Sequence, residues 1–469
     1  MRPVYRYPVG VVAAALWCGA VLSSGCSSVA TQRGFYDPII ADVRAEDYPN
    51  AVAKLEKAKD KNKFTNKDRF LYFLDAGLAN HYAGNYQLSN EKLHLAEQAA
   101  EELFTKSISR AATSILLNDN VLEYSGEDYE VLYANLIKAL NYLALGEFDG
   151  AFVEIRRANQ KLALLEDKYA SAAQEYQRGA ESDTANTGVV YESKPVRFHN
   201  DAFARYLSMH VYAADGKPDD ARIDFDFLNE AFATQPFVYN FPRPEVFYRK
   251  DDKPVLSVIA LAGLGPRKEA FTLRIRTDKD LGLVQVLYTD SDGREAEYGH
   301  LPLPVKADYY FKFAIPRVDA RPSEITRIRV LADSVEIGEL QLLEDVAAVA
   351  EETFEAKKSL IYLRSVARAV AKGLAAHNMK KKADTGGLEG WLKKAAIDVA
   401  TDVSENADLR SAQLLPGKIF VGDFAVEPGT YDLAVEFYSP EGLLLSRDLF
   451  TGYTIAKRGL NLIEAVSPQ

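Results

Sequence analysis

Cysteine is almost missing from this chain: its 469 residues contain two, Cys18 and Cys26. Both lie at the N-terminus, so the body that follows carries no thiol. This excludes disulfide scaffolding, cysteine-ligated zinc, iron–sulfur clusters and thiol nucleophiles there. Positive charge is also in deficit, with 56 Lys+Arg against 67 Asp+Glu and a net charge of −11, which argues against nucleic acid as a partner. Beyond the first 26 residues the longest apolar runs, such as Val255 to Leu264, are the length of a strand. Hydrophobic residues nevertheless make up 48%, ample for cores in a chain of roughly three ~150-residue domains.

Catalytic signatures are lacking too. No Walker A sequence, G-x-S-x-G elbow or HExxH is present, and His81, His94, His199, His210, His300 and His377 show no ligand spacing. Three partial motifs have plainer explanations. Ser89-Asn90-Glu91-Lys92 matches S-x-x-K without its companion motifs, and Ser89 falls at a small helix-packing position. Gly263-Leu264-Gly265-Pro266 follows a strand but lacks a third glycine and a helix, so a turn is expected. Asp290, Asp292 and Gly293 form half of a calcium loop without its downstream glutamate, again as a turn would. No enzymatic activity, cofactor or metal is expected on these grounds.

What is present begins with an address. Arg2 and Arg6 precede the apolar stretch Val9 to Leu22, as in a bacterial export signal over residues 1–25. Leu22-Ser23-Ser24-Gly25-Cys26 resembles the lipobox of bacterial lipoproteins, with Leu22 one position further out than usual. That resemblance implies acylation of Cys26 by diacylglycerol and palmitate-type chains, and Ser27 implies sorting to the outer membrane. The rival is cleavage after Ser28-Val29-Ala30, releasing a soluble periplasmic protein. Cleavage before Cys26 removes two arginines and no acid, taking the net charge from −11 to −13. Residues 26–34 read as a tether.

From 35 to 235 the apolar residues recur at helical spacing. Phe73, Gly77, Gly84, Tyr86, Ser89, Leu93 and Ala96 fit the large, small, turn-glycine, aromatic, small, large and small order of a tetratricopeptide hairpin. Ala139, Tyr142, Gly146, Phe148, Ala151, Ile155 and Ala158 fit it better. A third segment has Tyr212, Gly216, Ala221 and Phe225 but Pro218 in place of the aromatic, and Tyr48-Pro49-Asn50-Ala51 with Leu55 and Ala58 reads as a second helix alone. Small residues would let paired helices approach while the aromatic after each glycine wedges against the next hairpin. The expected fold of this half is a tetratricopeptide-like solenoid, with an irregular helical bundle as the alternative. An extra helix over Ala99 to Glu130 would explain the uneven repeat spacing, and 180–195 would project as a loop.

Prolines over 236–253 mark a linker. Strands then follow at Val255–Leu264, Phe271–Arg276, Leu283–Tyr288, Tyr309–Ile315, Thr326–Leu331 and Val335–Leu342. Four more resume at Lys418–Val421, Tyr431–Tyr438, Leu443–Phe450 and Leu460–Val466. The reading for 254–469 is an immunoglobulin- or transthyretin-like β-sandwich with a helical hairpin inserted over 344–403, making the whole chain an α+β multidomain protein. Its two helices are expected at about Glu344 to Met379 and Leu388 to Val403, and between Ala356 and Lys394 they hold Lys357, Lys358, Arg364, Arg368, Lys372, Lys380, Lys381, Lys382, Lys393 and Lys394 against Asp384 and Glu389. The segment suits contact with anionic lipid or an acidic partner, or else is a solvated face.

Tyr129-Glu130 ahead of the second hairpin, Asn200-Asp201-Ala202-Phe203, and Ala407-Asp408-Leu409-Arg410 leading to Leu415-Pro416-Gly417-Lys418 resemble an uncharacterised family of Gram-negative repeat lipoproteins. The resemblance implies envelope assembly alongside small lipoproteins. The expected function is an outer-membrane-anchored periplasmic scaffold, with the membrane reached by the lipid and envelope proteins held in the helical groove. The alternative is an envelope enzyme or peptidoglycan-binding protein using carboxylates brought together by folding.

Overall fold

The computed structural model describes residues 33–113, 119–182, 189–249, 253–278, 280–290, 292–302, 310–383 and 407–469. Cys26 and the expected helix over Leu388 to Val403 lie outside these residues.

Three glycines set the rhythm of the first half. Gly84, Gly146 and Gly216 all have φ near +74° (74°, 74° and 73°), with open space where a Cβ would stand, so the left-handed backbone is what demands glycine. Each closes the same turn: Gly84 N–H donates to His81 O and Asn85 N–H to Asn80 O, and the pattern repeats at Gly146/Glu147 and Gly216/Lys217. This is the six-to-one, five-to-two hydrogen bonding that ends a helix and reverses the chain. The helices so joined are α3 (Arg69–Tyr82) with α4 (Tyr86–Thr113), α5 (Asp128–Ala144) with α6 (Phe148–Ala163), and α8 (Ala202–Ala214) with α9 (Pro218–Thr234). Glu46, at φ 58°, makes the same turn between α1 (Arg33–Arg44) and α2 (Tyr48–Asp60) without a glycine. Tyr48 therefore opens the second helix of a full pair, not an isolated one.

The second helix of each pair buries small and branched residues four and then three apart: Ala51/Leu55/Ala58, Ser89/Leu93/Ala96 and Ala151/Ile155/Ala158. A Cβ on Gly77 would come within 2.5 Å of Leu93, so that glycine permits the close approach of α3 and α4. Phe148 departs from expectation. It is 38% exposed, and the contact with the next hairpin is made by Phe152, 4.5 Å from the Tyr212 ring of α8. One turn into α6, Phe152 points across, whereas the residue beside the glycine stays at the rim. The extra helix expected over Ala99 to Glu130 is instead a continuation of α4, which runs 28 residues against 14 in α3. A further helix, α7 (Leu165–Ser182), comes later and widens the spacing.

The described part of the expected loop at 180–195 is packed, not projecting. Tyr191 is buried against Tyr176, and Lys194 and Arg197 pair with Glu355 and Glu352 of α10 (Val346–Ala383). Nor is 236–253 a free linker: Val238, Tyr239 and Val246 are buried, and the Phe247 N–H donates to Asp423 at 2.9 Å.

The β half follows the expected strands closely, with two differences: Glu295–Pro302 is a further strand, and the single strand expected over Val335–Leu342 divides at Leu340 into two that join different sheets. Strands β1 (Val255–Leu264), β2 (Arg267–Asp278), β3 (Leu283–Thr289), β4 (Glu295–Pro302), β5 (Tyr310–Asp319), β6 (Arg327–Ala332), β7 (Val335–Glu339) and β8 (Gln341–Asp345) precede α10. β9 (Pro416–Ala425), β10 (Gly429–Tyr438), β11 (Leu444–Ile455) and β12 (Asn461–Ser467) follow it. β4, charged and mostly exposed, has too few apolar residues to register as a strand. Three four-stranded sheets result, ordered β12-β1-β9-β8, β11-β10-β6-β7 and β4-β3-β2-β5.

The first sheet is the centre of the molecule. β1 pairs parallel with β12 and antiparallel with β9, and nearly all of it is buried on both faces, which explains an apolar run interrupted by a single polar residue, Ser257. Leu256, Val258 and Ala260 point to one core shared with Ile328, Val330, Val435 and Phe437 of the second sheet. Ile259 and Leu261 point to another shared with the helices. The helical half and the first sheet thus have one continuous core, and Val238, Tyr239 and Val246 of the connecting segment pack into it. α10 belongs to that core as well, packed between α5, α7 and β5, with Val366, Ala367 and Val370 buried.

Candidate binding groove

The fourteen-residue excess of α4 over α3 creates a wall that no hairpin partner covers. With α5, α6 and α7 it bounds a groove in two connected parts, which share Glu101, Lys161 and Leu164. One part, about 360 Å³, is mainly apolar, with Phe104, Val131, Leu132, Leu162 and Leu165 in its walls. The other, about 490 Å³, carries His94, Glu97, Gln98 and Arg157. Leu164 sits where α6 gives way to α7 and is 50% exposed, an apolar side chain presented at the shared edge.

The charged wall is rigid. The Lys138 ammonium, 2% exposed, lies 2.8 Å from Glu97 and 2.7 Å from Glu154. Asn135 donates to both carboxylates, Lys161 reaches Glu97 at 2.6 Å, and Arg157 reaches Glu154 at 3.0 Å. Burial pushes the Glu97 carboxyl up, but the Lys138 and Lys161 ammoniums outweigh it and hold the group down to about 2. Glu97 therefore keeps its charge across the physiological range, the wrong tuning for a general acid near neutrality. At the apolar end Lys168 pairs with Asp128 at 2.6 Å and lies 4.3 Å from the Phe104 ring centroid, where Tyr169 also donates to Asp128. The groove is thus apolar inside and framed by side chains already fixed in place, a preorganised surface that loses little entropy on binding.

A second polar cluster seals the helices to α10 and to the strap 407–415. Asp119 receives Arg364 and, at 3.7 Å, Arg368; Glu127 receives Lys268 at 2.7 Å and Lys357 at 2.8 Å. Arg410 binds Asp68 (2.8 Å) and Asp408 (2.7 Å) and donates to the Leu122 and Asp119 carbonyls. Strap amides turn to the helices: Ala412 N–H donates to Glu130, and Gln413 and Leu414 N–H donate to Asp75. Burial raises Glu130 to about 7, helped by the Glu127 charge, and burial raises Asp75 to about 6. The cavity left inside this cluster is about 60 Å³, well below the ~300 Å³ of ordinary ligand pockets. These perturbed carboxyls hold the strap and face no open cleft.

This placement corrects the reading of the basic segment. Lys357, Arg364 and Arg368 are not a surface patch: they are turned inward to acids some 230 residues or more earlier in the chain, while Lys358 pairs with Glu355 on its own helix. Lys372, Lys380, Lys381 and Lys382 fall on the last part of α10, and Lys393 and Lys394 lie outside the described residues. The repeat residues are where packing needs them: Ala139, Ala151, Ala158 and Ala221 are fully buried, Tyr142 covers Gly150, and Tyr86 lies beside His81. Ser89 donates to the Gly77 carbonyl at 2.7 Å, and Lys92 pairs with Glu56, so the S-x-x-K residues are occupied separately. The Gly265 N–H donates to Leu415 O, and Asp290 accepts from the Asp292 and Arg294 amides of the β3–β4 turn.

No family model, curated protein or solved structure matches this chain. The groove residues Phe104, Val131, Lys161, Leu164 and Lys168 were not singled out by sequence, since they come from four helices. One signal was available: Leu164-Leu165 is an apolar pair exactly where a helical phase breaks, so one of the two must face outward.

Proposed function

We propose that this protein is an envelope scaffold, anchored to the outer membrane through acylated Cys26, that holds a segment of a partner protein in the groove of its helical half. In this reading the helical pairs are a tetratricopeptide-like array, and the paired sheets are an immunoglobulin- or transthyretin-like sandwich that stiffens it. The observation that carries the proposal is the groove itself. It has an apolar floor of ligand-sized volume, an exposed leucine at its edge, and walls locked by Lys138–Glu97–Glu154 and Lys168–Asp128. Such a surface suits a segment presenting two or three apolar side chains flanked by charge.

The test is photo-crosslinking in cells from residue 164 and from residue 105, with residue 454 on β11 as the control. Partner adducts from 164 and 105, absent from 454, support the reading. Adducts from 454 alone, or from no position, overturn it. The anchor is tested separately with Cys26→Ala: a variant that keeps membrane attachment removes that part of the proposal.

A further inference from the structure

Two carboxyl groups meet at the seam between the helical half and the first sheet. Asp201 caps α8 and accepts from the Ala204 N–H at 2.7 Å, while Glu344, near the end of β8, accepts from the Phe203 N–H at 3.2 Å. The two acids thus sit on consecutive amides of one helix start. The Tyr239 hydroxyl accepts from the Ala202 N–H at 2.8 Å and donates to Glu344 at 3.3 Å. Asp201, Glu344 and Tyr133 of α5 are all 0% exposed.

Other buried acids are matched. Asp68, Glu97, Glu127 and Asp224 each meet an arginine or a lysine. Asp75 and Glu130 have both oxygens hydrogen-bonded. The seam pair has neither arrangement. Asp201 Oδ2, Glu344 Oε1 and the Tyr133 hydroxyl are buried without a hydrogen-bond partner. The charged and titratable groups facing the pair are Arg205, committed to Asp224 at 3.0 Å, Asp345, which accepts from the Ala347 N–H, and the Tyr239 and Tyr133 phenols.

If both acids were ionised, two like charges would lie together out of water, with unmatched acceptor oxygens on each. A proton on Glu344 removes one charge and turns an unmatched acceptor into a donor. Burial and then the Asp201 charge push the Glu344 carboxyl well above the usual range. Burial also raises Asp201, to about 6, against the pull of the Ala204 amide and Arg205.

We propose that Asp201 and Glu344 hold one proton between them, carried by Glu344 at neutral pH, and that this proton is a latch joining α8 to β8 which alkaline conditions release. The latch does not depend on the groove or its occupant. Because the folded chain binds this proton more tightly than the unfolded one, the latch contributes fully below about pH 4.5 and is lost as pH rises through the folded value.

The test has two readouts on the full chain. The first is hydrogen-exchange protection of the Phe203 and Ala204 amides between about pH 6 and pH 9. Protection is expected to fall by up to about tenfold per pH unit, the weight of one proton. In Glu344→Gln, a neutral isostere, it should stay level. The second readout does not need that variant to fold. It is the infrared spectrum of chain labelled with carbon-13 glutamate and carrying Glu130→Gln, which removes the other raised glutamate. A carbonyl band of protonated glutamic acid at pH 7 is expected. Absence of that band, or the same pH dependence of protection in Glu344→Gln as in the unaltered chain, overturns the proposal.

Discussion

The two faces of the central sheet are made of different materials. Toward the second sheet, β1, β9 and β12 present Leu256, Val258, Ala260, Phe420, Ile463 and Ala465, all apolar. Toward the helices the same strands present Ser257, Asp423 and Glu464, which meet His210, Tyr206 and His81. His81 is held between Glu464 and Asn141, both at 2.6 Å; burial pushes its pKa down, but Glu464 leaves it raised overall. The sheet-to-sheet junction is thus non-directional burial. The sheet-to-helix junction adds hydrogen bonds that fix the helical pairs in register on it. A groove made of several helices needs that fixed register to keep its shape.

This contrast can be broken at several points. The largest effect is expected where the strap 407–415 locks the helices beside this junction: Arg410→Met would leave Asp68 and Asp408 without their cation. A loss of about 3–5 kcal/mol in chemical denaturation follows from breaking a buried pair on one side. On the apolar face Leu256→Ala should cost about 2–5 kcal/mol through lost burial and a cavity. Because no charge is involved, the cost should be the same at pH 5 and pH 8. The contacts between strap and helices should behave otherwise, since Glu130 accepts from the Ala412 N–H of the strap. Glu130 has its pKa raised in the fold, to about 7 from 4.5, so the folded state holds the proton more tightly than the unfolded one. Its contribution is full below about pH 4.5 and is lost as pH rises toward 7. Glu130→Gln should therefore flatten the decline of the unfolding midpoint across that window, and an unchanged slope would contradict the assignment. The smallest stability effect is expected at the groove edge, where Leu164→Asp should change stability by about 0.5 kcal/mol or less, as exposed sites do.

Much of the fold was legible in the residues. Gly84, Gly146 and Gly216 announced their turns because only a left-handed residue closes them, and Val255–Leu264 announced a strand by its nearly continuous apolar run. Other features were hidden for physical reasons. The basic count of α10 could not reveal that Arg364 meets Asp119, since pairing depends on tertiary approach, not on local charge. The length of α4 was obscured because a repeat hairpin would end its second helix soon after Ala96, whereas Ala99, Ala100 and Leu103 continue the buried face of the same helix. β4 was missed since its partly covered positions, Ala296, Gly299 and Leu301, include only one large apolar residue, and the register shift between Val286 and Leu287 of the paired strand breaks their alternation. The candidate site was the least legible part, because its residues converge from α4, α5, α6 and α7 and none is unusual in its own neighbourhood.

The most direct test of the account is the affinity of a captured partner for two matched variants. Leu164→Asp alters the groove edge, and Leu449→Asp alters an equally exposed leucine on β11, 61% exposed against 50%. The account predicts that Leu164→Asp weakens binding at least about tenfold at an unchanged unfolding midpoint, while Leu449→Asp leaves binding intact. Weakened binding in Leu449→Asp with full affinity in Leu164→Asp would place the docking surface on the outer sheet and contradict it.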